Sequence, residues 1–96
     1  MTRQEILQAL KSFKQAKQYE YQIMRIGIFG SAARDDMHES SDVDVVVELG
    51  VPDLLILVGI KQDLEEILSR PVDIVRYRDQ MNAFLRDRIE REAVYV

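Results

Sequence analysis

Apolar positions recur at helical spacing over the first segment: Ile6, Leu7, Leu10, Phe13 and Ala16 share one face, behind a Thr2-Arg3-Gln4-Glu5 start. A Thr followed three residues later by Glu satisfies two of the free amides at a helix start, so a helix is predicted from about Arg3 to Tyr19. Ile23 to Phe29 then runs nearly all apolar and β-branched until Gly30 breaks it, the pattern of a buried strand. Residues 31–36 suit a short helix or turn, and a polar loop follows through Ser41. Val43, Val45, Val46 and Val47 predict a second strand, stopped at Gly50-Val51-Pro52. Asp53 can cap a helix whose apolar positions are Leu54, Leu57, Val58, Ile60, Leu64, Ile67 and Leu68, ended by Pro71. Val72 to Val75 predicts a short strand, and Gln80 to Glu92 a last helix with Met81, Phe84, Leu85 and Ile89 on one face. This alternation specifies a small α/β domain with helices packed on a three-stranded sheet, in an order the pattern leaves open.

Composition narrows the function classes. A chain of 96 residues suits one small domain, here 1–96, with no room for a second substrate-binding domain or a template-directed polymerase. With no cysteine there is neither a disulfide framework nor a thiolate metal site. The longest apolar run, Leu54 to Ile60, is too short to cross a bilayer, and the N-terminus has no signal-peptide core, so a cytoplasmic protein is expected. The net charge of −4 is concentrated: residues 26–69 hold ten acids against Arg34 and Lys61. An acidic middle argues against a nucleic-acid-binding face and suits a site that gathers divalent cations, although acids that merely solubilise loops would give the same count.

The candidate chemistry lies in Gly30-Ser31-Ala32-Ala33-Arg34, continuing to Ser41-Asp42-Val43-Asp44. Gly30 and Ser31 stand where a strand yields to a helix start, so amides and a hydroxyl can face a phosphate. Strand–Gly–Ser turns are also common structural features. Asp42 and Asp44, two apart on a strand, point to the same face, while Val43, Val45 and Val47 anchor the other. Paired carboxylates without His or Cys suit Mg²⁺, or Mn²⁺, and a solvated sheet edge would read the same. Asp73, flanked by Val72, Ile74 and Val75, is an acid within a buried-looking run and would need a partner or a metal there, whereas a surface acid on an exposed strand face would read the same. If its strand neighbours that of Asp44, three carboxylates converge, enough to hold two metal ions roughly 3.5–4 Å apart. His38 has no role assigned, and the four tyrosines are too scattered to make a stacking platform.

Gly-Ser, ten residues, then Asp-x-Asp resembles the nucleotidyltransferases of the DNA polymerase β superfamily. The stretches IGIFGSAARDD, SSDVDVVVEL, RPVDIV and LRDRIEREAVYV, in order, are most similar to the minimal nucleotidyltransferase (MNT) antitoxins that accompany HEPN-domain toxins. The resemblance implies a polymerase β palm-like fold. It implies that Gly30, Ser31 and Arg34 serve the nucleotide and that Asp42, Asp44 and Asp73 form the catalytic metal site, with two Mg²⁺ ions. It also implies AMP transfer from ATP to a tyrosine of a cognate HEPN ribonuclease toxin. Two positions depart from the family pattern: Ala32 replaces a frequent arginine, and Asp35 a frequent glycine. The first removes a phosphate contact and the second adds negative charge, which keeps open an antitoxin that acts by contact alone. A small-molecule nucleotidyltransferase is the third reading. The apolar stretch at Leu54–Val58, and more weakly the tail at Val94 and Val96, are expected to meet the partner chain.

Overall fold

The computed structural model describes residues 1–38 and 40–96. The elements are α1 (Arg3–Lys17), β1 (Ile23–Phe29), α2 (Gly30–Arg34), β2 (Val43–Leu49), α3 (Leu54–Leu68), β3 (Val72–Arg76), α4 (Ala83–Glu92) and β4 (Val94–Tyr95). The caps act as the sequence predicts. Thr2 Oγ1 accepts from the Glu5 amide at 3.2 Å while Glu5 returns a bond to the Thr2 amide, and Asp53 Oδ1 accepts from the Leu55 amide at 2.9 Å.

The sheet runs β3-β2-β1-β4, with β1 antiparallel to both neighbours and β2 parallel to β3. A parallel pair needs a crossover, and α3 supplies it. The main core lies on one face: Ile26 and Ile28 of β1 and Val43, Val45 and Val47 of β2 pack with Ile6, Leu10 and Phe13 of α1 and Ile60, Leu64 and Leu68 of α3. The alternate positions Phe29 and Val46 meet Ile89 of α4 on the other face in a smaller cluster. This second face is where the acids project.

Two expectations change. The sheet has four strands, not three. β4 is two residues long, too short to show an alternating pattern, and it pairs Tyr95 with Gly27 and Val94 with Ile28. The approach is close: a side chain at Gly27 would run into the carbonyl of Val94 and lie 2.9 Å from Cα of Tyr95. Val94 and Val96 are half-buried against the main core, and the Val96 amide donates to the Ile26 carbonyl. The last helix begins at Ala83, because Asn82 caps it through the Leu85 amide. Phe84 is then 78% exposed instead of joining the apolar face.

Candidate active site

The turn from β1 to α2 sets the site. Phe29 is extended, Gly30 has φ +67, and α2 begins at once. A left-handed backbone favours glycine, and a second constraint removes any alternative: a Cβ on Gly30 would occupy the place of Asp44 Oδ2. The β1–β2 register pairs Phe29 with Asp44, so the glycine turn and the carboxylate are adjacent through the ladder. The β2–β3 register pairs Asp44 with Asp73, which fulfils the condition that the two acid-bearing strands be neighbours. Asp42, two residues before Asp44, is exposed at the entry to β2.

Asp44 is the half-buried centre of the group. Burial pushes its carboxyl above the ordinary carboxylate range, the charge of Asp73 adds to this, and Asp42 adds further; Arg88 and Arg34 oppose the shift. Asp73 itself is exposed, on the outermost strand of the sheet. Of the two readings of Asp73, the structure has the acid on an exposed strand face, since β3 has a neighbour on one side only, and its strand lies beside that of Asp44. Among the described residues no three acidic or metal-ligating side chains already form a ready-made cation cage. Like charges hold one another apart, and a hard divalent cation between these oxygen donors would relieve what burial and Asp73 impose on Asp44. The donor set fits Mg²⁺ in kind.

Ser31 is half-buried at the second position of α2, and its hydroxyl has no partner among the described residues. Arg34 makes two ion pairs. Its Nε lies 3.3 Å from Asp36 Oδ2 and its Nη1 3.2 Å from Glu92 Oε1, so it ties the end of α2 to α4. The two departures from the family pattern have structural uses. Ala32 is 1% exposed in the main core. Asp35 ends α2 in the left-handed region, φ 57, and its carboxylate accepts from the Arg3 amide at 2.9 Å, so it caps α1.

Sequence reasoning missed three residues. Glu92 accepts from the Gly30 amide at 3.1 Å as well as from Arg34, and its other oxygen lies 3.5 Å from Arg88 Nε. Arg70 donates to the carbonyls of His38 and Ser41, holding the chain that leads into Asp42. The only local signal was Arg88-x-x-x-Glu92, which by itself reads as a solvated helix pair. Farther along the same sheet face Arg25 lies over the rings of Tyr77 and Tyr95, at 5.2 and 4.4 Å, so two of the tyrosines do converge, on a cation rather than on a base. Two hollows, of about 690 and 630 Å³, lie along α1. Neither is lined by the glycine turn or the three acids.

Residues 5–96 match the nucleotidyltransferase-domain family model. The chain belongs to that family. This nucleotidyltransferase is 45% identical over 75 residues to a Methanocaldococcus jannaschii protein provisionally named a protein adenylyltransferase, covering 77% of this chain and 80% of the relative. It is 32% identical to the protein adenylyltransferase MntA of Thermococcus cleftensis, over 100% of this chain and 97% of that one. A solved structure provisionally described as a minimal nucleotidyltransferase superposes with TM-score 0.79 at 33% identity, covering 98% of this chain and 95% of the other. Two toxin–antitoxin structures share the fold. One, solved with AMP-PNP, has TM-score 0.73 at 22% identity and covers 91% of this chain and 70% of that chain. The other, a tri-AMPylated Shewanella oneidensis HEPN toxin in complex with an MNT antitoxin, has TM-score 0.58 at 18% identity and covers 88% and 70%.

Proposed function

We propose that this nucleotidyltransferase, with residues 1–96 acting as one domain, transfers AMP from ATP to a tyrosine hydroxyl of a cognate HEPN-domain toxin in the cytoplasm and thereby acts as its antitoxin. The observation that carries the reading is Asp44, held against the Gly30 turn on one side and in register with Asp73 on the other. The names of the adenylyltransferase relatives and the toxin–antitoxin neighbours agree with it.

In this account Gly30 and Ser31 hold the triphosphate, the first by letting it approach the backbone and the second through its free hydroxyl. Asp42, Asp44 and Asp73 hold Mg²⁺, with Mn²⁺ as a substitute. Ions held there would supply charge neutralisation for the triphosphate and a lowered pKa for the acceptor hydroxyl. The hydroxyl oxygen forms a bond to the α-phosphorus, the bond from that phosphorus to the bridging oxygen breaks, and pyrophosphate leaves with the electron pair. Asp73, the exposed acid, takes the hydroxyl proton. Arg34 steadies the turn through Glu92. No helix of the described residues is long and apolar enough to cross a membrane, and the acid-rich face disfavours direct nucleic-acid binding.

Leu54 and Leu55 are 74% and 81% exposed and Val58 is also exposed, so the start of α3 offers an apolar patch where the toxin would dock. The same patch favours a second reading, inhibition by contact alone. ATP with Mg²⁺ separates the two. Under the catalytic reading it raises the melting temperature by several degrees, because the ligand binds only the folded state. Ser31→Ala reduces that rise while leaving the ligand-free melting temperature unchanged. No rise at millimolar ATP would favour the contact reading.

A further inference from the structure

α4 brings a second guanidinium to the phosphate turn. Arg88 lies with its guanidinium 5.4 Å from the centroid of the Phe29 ring and joins Glu92 through Nε. Its Nη2 stands 3.1 Å from where a Gly30 side chain would begin, the same point that Asp44 Oδ2 crowds. The fork therefore sits beside both the glycine turn and the central carboxylate, within reach of a triphosphate bound at that turn. Both arginines pair with Glu92, but Arg34 also holds Asp36 while Arg88 turns Nη2 toward Gly30, so Arg88 is the better-placed cation.

We propose that Arg88 is a triphosphate-binding residue and that Glu92 is the positioning residue that sets it. The proposal rests on the nucleotidyl-transfer reading and adds to it the residue that recognises the phosphate chain. A planar guanidinium suits two phosphate oxygens at once. An Arg–Glu pair one turn apart on an exposed helix is ordinarily a loose surface contact. Here the same carboxylate also takes the amide of Gly30, 62 positions away in the chain, and the Nη1 of Arg34. One side chain thus fixes the turn and both cations relative to one another. Recognition through Arg88 depends on phosphate and not on the base.

The test is calorimetric titration of the intact chain with Mg²⁺ and either ATP or inorganic pyrophosphate. Arg88→Ala is expected to weaken both ligands roughly tenfold to a hundredfold, the usual effect of losing a hydrogen bond to a charged group. Arg88→Lys keeps the charge without the fork and should recover part of the loss. Glu92→Gln keeps an acceptor for the Gly30 amide and should weaken binding less than Glu92→Ala, with ligand-free melting temperatures close to wild type in both arginine variants. If wild type binds ATP and Arg88→Ala binds both ligands equally well, the assignment of Arg88 is overturned and the transfer reading stands. If wild type binds neither ligand, both are overturned.

Discussion

Asp44→Asn is expected to leave a more stable protein that no longer transfers nucleotide. The two effects have one cause. Burial and the charge of Asp73 raise the Asp44 carboxyl above its ordinary range, so the folded chain binds this proton more tightly than the unfolded chain does. Below the unfolded pKa, about 3.9, Asp44 is protonated in both states and resembles asparagine. As pH rises through the raised folded value, ionising Asp44 costs stability, and the variant escapes that cost. Melting curves of the two proteins without metal should therefore coincide near pH 3 and separate by a few degrees near pH 7, with the variant higher. Activity should move the other way, falling on the order of a thousandfold or more once the central ligand loses its charge. Equal melting temperatures at both pH values would refute the electrostatic account of Asp44.

Gly30→Ala is expected to damage fold and site together. The backbone there has φ +67, which costs a residue with a Cβ roughly 1–2 kcal/mol. The added carbon also meets Asp44 Oδ2, so that carboxylate or the turn must shift. A loss of about 1–3 kcal/mol follows, enough to lower the melting temperature of a domain this size by roughly 5 °C or more. Transfer should fall further than stability does, because the displaced group is the proposed metal ligand. Chemical denaturation measures the first effect and AMP transfer at a temperature where the variant is still folded measures the second. A variant with wild-type activity would show that the contact between Gly30 and Asp44 is incidental.

Much of this site was legible because its parts lie at element boundaries that announce themselves locally. Gly30 ends an apolar strand, Asp42 and Asp44 share a face by the two-residue period, and the β-branched run before Pro52 marks their strand. The neighbourhood of Asp73 needed strand order, which the crossover through α3 supplies and the pattern of residues does not. Its exposure stayed open because a flanking run of Val and Ile looks the same on an edge strand as on a central one. β4 was missed since two residues have no period, and its pairing depends on the bare backbone of Gly27. Arg88, Glu92 and Arg70 were invisible for another reason. Their roles are contacts between distant segments, and a charged residue on a helix or in a loop carries no sign of which backbone amide or carbonyl it will meet.

The central claim, that this chain adenylylates a protein partner, is tested most directly by intact mass. The chain is mixed with the proposed HEPN-domain partner, ATP and Mg²⁺, and the partner is weighed before and after. The account predicts that the partner gains the mass of one or more AMP groups on tyrosine, that its ribonuclease activity falls in step, and that both changes disappear with Asp44→Asn. A partner silenced equally by wild type and Asp44→Asn, with no change in its mass, would contradict it and leave contact alone as the mechanism.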